Sequence, residues 1–482
     1  MPRRVATPTL TLSRSAAAGV ALACALGAVA ACGGTEAVPA APRLIPGGGV
    51  GDGAIAGRLN VYVTDEDTRA PVAGASVRVG ASAAAAPCTI LTDSTGLAVF
   101  DKQSCPALEG KQTLTATATG YVPATVIGVN ATNVTTTLSA VNRPPIDTAT
   151  VTGTIAGWDA LPAPATGHQT LAIIASSQTR ELGDRANEIP QGTRSVTVPV
   201  IGAFNIPANV CVRNASANDC AWRLTTRTGA QAHYAVVLDQ DTKGTPANDA
   251  DDTTTVIAWA VKTGLSFSAG QTASGESLAL LADTQMRSFR VAMSTPPSGL
   301  DSVAGFPMLD LGGDGRVPIT APVLDLTTTT TRVPALSGDL AGARYDLLAM
   351  AQDAKDKDQP STLAWLHQVN AGATVSIGGW LTPPTGLSVS AGVFTFSRVA
   401  NAALHSIDLE TTTGGKLWSI SIFDDTSSLT LPGLSPDPLP AGMARFKVNA
   451  LEIPGVDLQN VAFDDAREKI VGLSSDQIPF SH

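Results

Sequence analysis

The sequence predicts an all-β protein built from β-sandwiches. Apolar and polar residues alternate with period two in run after run, as in Gly57-Arg58-Leu59-Asn60-Val61-Tyr62-Val63-Thr64, the mark of a half-buried strand. Turn residues bound these runs, because the 482 residues include 45 glycines and 32 prolines. Charged residues make up only 15%, which favours short strands over long solvated helices. At this length the prior is about three domains.

Ahead of the strands the chain reads as an export signal. Arg3, Arg4 and Arg14 form a positive start, and no acidic residue precedes Glu36. Sixteen small or apolar residues run from Ala16 to Ala31, fewer than the ~20 that a membrane-spanning helix needs. The run closes in Val29-Ala30-Ala31-Cys32-Gly33, which resembles the bacterial lipobox: an aliphatic residue three before the cysteine and small residues between. Cys24 lacks the pattern, with Ala21 three residues before it and bulky Leu22 next. The resemblance implies a signal peptide of residues 1–31 and acylation of the Cys32 sulfur and freed amine. The acyl chains would hold the protein on a membrane, each buried CH₂ adding ~0.8 kcal/mol. Gly33, where retained lipoproteins carry Asp, implies the outer membrane. Residues 32–54 are Pro, Ala and Gly with little to bury, and read as a flexible tether. Their glycines make no nucleotide loop, since no strand precedes them and no helix pattern follows.

The formal charge is −10, and losing the three signal arginines leaves −13. Such an acidic chain repels nucleic acid and anionic head groups, so neither is an expected partner. Beyond Cys24 and Cys32 four cysteines remain in two close pairs, Cys88 with Cys105 and Cys211 with Cys220. In an oxidising compartment these read as local disulfides, although three pairings are formally possible. Zinc would need CxxC or Cys/His clusters, which are missing.

The body begins with Gly57-x-Leu-x-Val-x-Val, Pro71-Val-Ala-Gly-Ala-Ser-Val-Arg-Val, Thr92-Asp-Ser-Thr-Gly-Leu-Ala-Val-Phe and Leu114-Thr-Ala-Thr-Ala-Thr-Gly-Tyr-Val-Pro. This order resembles a carboxypeptidase regulatory-like domain, the transthyretin-related seven-strand sandwich, over residues 55–140. The resemblance implies a tight turn between Asp93 and Gly96 and a bend at Gly120 before an inward Tyr121. It also implies an accessory module with no catalytic residues of its own. Residues 141–148, with Pro144 and Pro145, form a linker. Two further sandwich units are expected, over residues 149–330 and 331–482. Their relationship is suggested by repeats. Thr295-Pro-Pro-Ser-Gly-Leu recurs as Thr382-Pro-Pro-Thr-Gly-Leu. Pro334-Ala-Leu-Ser-Gly-Asp through Ala343-Arg344-Tyr345 recurs as Pro432-Gly-Leu-Ser-Pro-Asp through Ala444-Arg445-Phe446, with Ala232-His233-Tyr234 a third copy. An Ala-Trp pair follows at Trp259 and Trp365, expected in equivalent cores. Pro-Pro-x-Gly is also good turn chemistry in its own right. A hairpin is expected around Gly414-Gly415, and residues 346–357 fit a helix or a strand followed by a charged turn.

Motifs that carry chemistry are sparse. The five histidines form no HExxH, and Gly386-Leu-Ser388-Val-Ser390 lacks the second glycine of a nucleophile elbow. One loop gathers Asp239, Asp241, Asp249, Asp251 and Asp252, oxygen donors of the kind that calcium takes, although the spacing is not that of an EF-hand. Asp310-Leu-Gly-Gly-Asp314-Gly likewise lacks the twelfth-position Glu. No other cofactor is implied. The expectation is a lipid-anchored binding or structural protein of the cell envelope, its ligand unread, meeting an envelope protein or a glycan. The alternative is an envelope hydrolase with its centre in the C-terminal half.

Overall fold

The computed structural model describes residues 40–80, 88–180, 185–188, 193–198, 202–207, 209–213, 218–243, 252–319, 328–353, 360–370, 372, 374–435 and 437–482. The expected export signal and Cys32 lie outside them. The described chain is built almost wholly of strands, and no helix in it is long and apolar enough to cross a membrane.

After a short strand β1 (Gly49–Gly51), the first sandwich comprises β2 (Arg58–Asp65), β3 (Ser76–Gly80), β4 (Cys88–Leu91), β5 (Leu97–Asp101), β6 (Gln112–Thr117), β7 (Ala124–Val129) and β8 (Asn133–Leu138). Its alternation is the one read from sequence. Leu59, Val61 and Val63 of β2 and Val77 and Val79 of β3 are fully buried, while Arg78 turns out. The Asp93–Gly96 turn closes through the Gly96 N–H on the Asp93 carbonyl, with Asp93 Oδ1 accepting from Thr95 and Leu97 N–H. Tyr121 packs against the core and donates its hydroxyl to Asp65 Oδ2 at 3.0 Å.

The second sandwich holds β9 (Thr148–Ala156), β10 (His168–Ser176), β11 (Thr193–Val198), β12 (Gly202–Pro207), β13 (Asn209–Arg213), β14 (Asn218–Asp219), β15 (Ala221–Arg227), β16 (Gly229–Asp241), β17 (Thr253–Phe267) and β18 (Thr272–Ala279). The third holds β19 (Met286–Met293), β20 (Ser302–Asp310), β21 (Arg316–Pro318), β22 (Thr329–Pro334), β23 (Arg344–Gln352), β24 (Ser361–Val369) and β25 (Thr374–Ile377). The fourth holds β26 (Thr385–Ser390), β27 (Val393–Ser397), β28 (Leu404–Thr411), β29 (Lys416–Ile422), β30 (Ser428–Thr430), β31 (Met443–Glu452), β32 (Val461–Ala462), the short helix α1 (Phe463–Arg467) and β33 (Gly472–Ser481).

One pairing scheme runs through all of them. The first strand pairs antiparallel with the fourth and parallel with the seventh: β2 with β5 and β8, β9 with β15 and β18, β19 with β22 and β25. The second strand lies between the third and fifth, and the sixth adds to the fifth: β4-β3-β6-β7, β13-β10-β16-β17 and β21-β20-β23-β24. The fourth sandwich repeats the scheme with β27, β28, β29, β30, β31 and β33. Its seventh place, beside β27, is filled by β26 running antiparallel.

The all-β sandwich expectation therefore holds, while the expected unit boundaries do not. A boundary at 330/331 would cut β22, whose residues pair with β19 from Met286↔Pro334 to Val291↔Thr329. The stretch after residue 140 makes three sandwiches. The repeats sort accordingly. Pro334 to Tyr345 and Pro432 to Phe446 both cross from the fourth strand to the fifth, and Tyr345 and Phe446 both enter their own sandwich cores. Trp259 and Trp365 both sit on the sixth strand, each on the sheet face turned away from its own sandwich core. The prolyl turns are not equivalent, since Pro296 joins β19 to β20 whereas Pro383 joins the third sandwich to the fourth. Tyr234 lies on the fifth strand but on the opposite face from Tyr345, next to Trp259. The expected hairpin is β28–β29, and residues 344–352 are strand β23.

Three of the sandwiches are fused through their sheets. The large sheets of the third, fourth and first join edge to edge into twelve strands, β21-β20-β23-β24-β33-β31-β28-β29-β7-β6-β3-β4. The joints are β24 with β33, antiparallel, and β29 with β7, parallel. The first sandwich thus meets the fourth across almost the whole sequence. Leu404, Phe423, Ile453, Val461 and Ile470 of the fourth pack into the core of the first. At ~1.5–3 kcal/mol for each fully buried apolar side chain, that joint gains on the order of 10 kcal/mol. The Trp418 indole N–H is satisfied across it by Thr125 Oγ1 at 3.0 Å. Within residues 32–54, expected as a flexible tether, the described part is built into the body: Ile45 is buried and β1 pairs with β8.

Candidate functional site

The densest charged chemistry lies where the four sandwiches meet, on the outer face of β23 and β24. Asp346 of β23 is 1% exposed and Arg316 of β21 is 3% exposed, with Arg316 Nε 3.5 Å from Asp346 Oδ2. The guanidinium lies over the Trp365 ring, its central carbon 4.2 Å from the ring centre, a cation–π contact in a desolvated place. Arg316 Nη1 also donates to the Arg180 carbonyl. His367 stands beside this pair, with Nδ1 3.4 Å from Asp346 Oδ2 and Nε2 3.0 Å from the Ile470 carbonyl of the fourth sandwich.

Local backbone features aim these groups. A bulge in β24 leaves Gln368 at φ +56, and its N–H donates to Asp346 Oδ1 at 2.9 Å. A non-glycine residue held there costs about 1–3 kcal/mol, so the carboxylate and the strain are built as a unit. Gly315, at φ +93, lets the loop after β10 approach: a Cβ there would stand 2.0 Å from the Gln178 carbonyl oxygen. Gln178 and Arg316 then exchange two backbone hydrogen bonds of 2.8 Å. Burial alone would raise the Asp346 carboxyl, but the close His367 ring, the Gln368 N–H hydrogen bond and the charge of Arg316 outweigh it and hold it below the usual carboxylate range.

Further ion pairs spread from this centre to every sandwich. Arg180, in the loop after β10, pairs with Asp310 at 3.3 Å and with Glu468 of the fourth at 3.0 Å. Arg185 reaches Asp67 of the first at 2.8 Å and donates to the Pro144 carbonyl. Arg143 pairs with Glu66 and Asp67, and Arg69 with Asp464. Burial would raise the Glu66 carboxyl, yet the Ser139 hydrogen bond and the charges of Lys416, Arg143 and Arg467 hold it low. Two of those cations belong to the fourth sandwich. Chemically this is a clamp between units. His367 has one nitrogen on a carboxylate and the other on a backbone carbonyl, so neither faces a nucleophile. Sequence reasoning singled out Asp310 only as part of a loop and missed Asp346, Arg316 and His367, because they come from separate strands with no shared spacing.

The sequence-predicted residues fall elsewhere. Both disulfides are present: Cys88–Cys105 with Cα atoms 5.4 Å apart and Cys211–Cys220 with Cα atoms 4.6 Å apart. Each ties the third strand of a large sheet to the fourth-strand region of the small sheet, at the same edge of two repeats. Replacing Cys88 and Cys105 together by Ser is expected to cost about 3 kcal/mol, from the chain entropy returned to the unfolded state. Calorimetry of oxidised wild type against the double variant measures it, and an unchanged midpoint would refute it.

Three of the five carboxylates of the acidic loop are described, and each has its own partner. Asp239 accepts from His168 Nδ1 at 3.0 Å, Asp241 pairs with Lys243, and Asp252 accepts from Gln240. Asp249 and Asp251 lie outside the described residues. Among the described residues no group of three metal-ligating side chains comes together, so the calcium expectation gains no site. The Asp310–Asp314 run is the β20–β21 turn, where Asp314 Oδ2 accepts the Gly264 N–H of the second sandwich at 2.7 Å. A cavity of about 60 Å³ lies at the joint of the first and fourth sandwiches, lined by Thr125, Thr135, Thr137, Ser419 and Ser421 among others. It has room for ordered water, against the ~300–1,000 Å³ typical of ligand pockets.

No protein-family model matches the chain, and no curated protein matches it. Among solved structures it is similar to the Bacillus anthracis TIE protein, at 7% identity and TM-score 0.14, over 67% of this chain and 50% of that one. It is also similar to a tetra-tandem repeat in the extending region of a large adhesion protein, at 11% identity and TM-score 0.13, over 88% of this chain and 99% of that one. A third is the full-length major pilin SpaD from Corynebacterium diphtheriae, at 12% identity and TM-score 0.14, over 60% of this chain and 86% of that one. TM-scores of this size establish no shared arrangement of domains.

Proposed function

We propose that the chain is a lipid-anchored protein of the cell envelope, held at Cys32 in the outer membrane, whose body binds or braces. The observation that carries this reading is how the repeated unit is used. Three of the four copies of one sandwich fuse their sheets, and ion pairs tie the second to the first and the fourth. The result is a continuous twelve-stranded sheet, suited to holding a surface in place. Loop tips and sheet edges are where another envelope protein or a glycan would meet it. Two disulfides support an oxidising compartment. The likeness of the first sandwich to the carboxypeptidase regulatory-like family supports an accessory, non-catalytic module.

The test is Cys32→Ser. The wild type is expected to incorporate a fatty-acid analogue and sediment with membranes, and the variant to lose both. A variant that is still labelled would sink the anchored reading.

A further inference from the structure

Residues 43–51 are built into the body. The Arg43 N–H donates to Asn133 Oδ1 at 3.0 Å and the Ile45 N–H to Thr135 Oγ1 at 2.9 Å, while the Ile45 side chain is 3% exposed. β1 then pairs with β8 of the first sandwich through Gly49↔Thr135 and with β32 of the fourth through Gly49↔Ala462. The glycine run explains the fit. Gly47, Gly48 and Gly49 stand at φ +72, +92 and +132. A Cβ on Gly49 would lie 2.0 Å from the Val461 carbonyl oxygen, and one on Gly47 would lie 1.9 Å from Asp464 Oδ1. Side chains are excluded here because the fourth sandwich comes in against the strand.

Eight peptide units separate Cys32 from Ala40, a reach of at most about 29 Å when fully extended. A compact body of about 440 residues is on the order of 55–60 Å across. With residues 43–51 docked, the anchor draws one end of the body to the membrane and leaves the opposite end beyond its reach.

We propose that residues 43–51 are a latch that presents the joint between the first and fourth sandwiches to the phospholipid head groups of the anchoring membrane. The proposal rests on the anchored reading and adds an orientation to it.

The experiment uses the lipidated full chain in vesicles of phosphatidylethanolamine and phosphatidylglycerol carrying a head-group nitroxide quencher. A bimane is placed on Asn460→Cys, exposed on the joint, or on Thr166→Cys, in the turn after β9. That turn lies about 30 Å along β9 from the start of the second sandwich. Quenching at 460 is expected to be severalfold stronger than at 166. Gly49→Val, which drives a side chain into Val461, is expected to bring quenching at 460 down to the level at 166 while vesicle binding persists. Ile45→Asp should do the same, and it alters a residue outside the sandwich cores if Gly49→Val does not fold. Equal quenching at the two sites in the bound wild type would overturn the proposal alone, as would unchanged quenching in both latch variants. A wild type that takes up no fatty-acid label and does not bind vesicles would remove the anchored reading, and the orientation with it.

Discussion

Asp346→Ala is expected to lower the unfolding free energy by about 3–5 kcal/mol, the range for breaking a buried ion pair from one side. The cost lies mainly in what is left behind. Arg316 stays buried, with its next carboxylate, Asp310, 3.9 Å away. The strained Gln368 loses the acceptor for its N–H. Urea unfolding followed by tryptophan fluorescence reads it, since Trp365 lies directly under Arg316. The exposed pair Arg332–Asp283 is the control, and Arg332→Ala should change stability by less than ~1 kcal/mol. The difference between wild type and Asp346→Ala should also depend on pH in one direction. The folded Asp346 carboxyl sits below its ordinary value, so its stabilisation is fully present above about pH 4 and is lost as pH falls through the lower, folded value. The two stability curves should converge at acid pH. A loss under 1 kcal/mol at neutral pH would mean that the junction does not hold the sandwiches together.

His405, in the core of the fourth sandwich, should impose a second pH dependence, opposite in chemical origin. Burial, and then the charge of Arg398, push its pKa down to about 4. The hydrogen bonding agrees: Nε2 accepts the Val399 N–H at 3.1 Å, so the ring is neutral and a second proton would break that bond. The unfolded chain takes up a proton near pH 6.5, while the folded chain resists until about 4. Between those values the unfolded state binds more protons, so stability falls as pH falls, by about 3 kcal/mol over the window. His405→Gln keeps a polar side chain and removes the titration. Its stability between pH 6.5 and 4 should be flatter than that of the wild type by that amount. Parallel slopes for the two proteins would refute the assignment.

Much of the local architecture was legible in the residues. Val77 and Val79 alternate with Arg78 because successive side chains leave a strand on opposite faces, and Asp93 to Gly96 carry their own turn chemistry. Close cysteine pairs could form disulfides because both partners lie near one sandwich edge. The Pro334 and Pro432 motifs marked a true equivalence, since both belong to the same crossover. The prolyl turns at 296 and 383 misled, because Pro-Pro-x-Gly reports a bend and says nothing of which strands it joins. Tyr234 misled differently: one residue of register places it on the opposite face from Tyr345.

Sequence alone pointed to the all-β class, the period of the clearest strands, the Asp93–Gly96 turn and the close cysteine pairs, because each depends on residues within about twenty positions of one another. The number of sandwiches depended on pairing. β22 belongs to the third unit through its ladder with β19, some forty residues away, and nothing in a run of threonines states that ladder. The joint of the first and fourth sandwiches is more remote still, with Ser419 beside Ala124 and Gly49 beside Ala462. Backbone hydrogen bonds at sheet edges carry no side-chain signature, so the chain does not announce which edges will meet. The same holds for Asp346, Arg316 and His367, which look like ordinary surface residues in sequence. They become a buried clamp only because loops from the second and fourth sandwiches fold over them and remove the water.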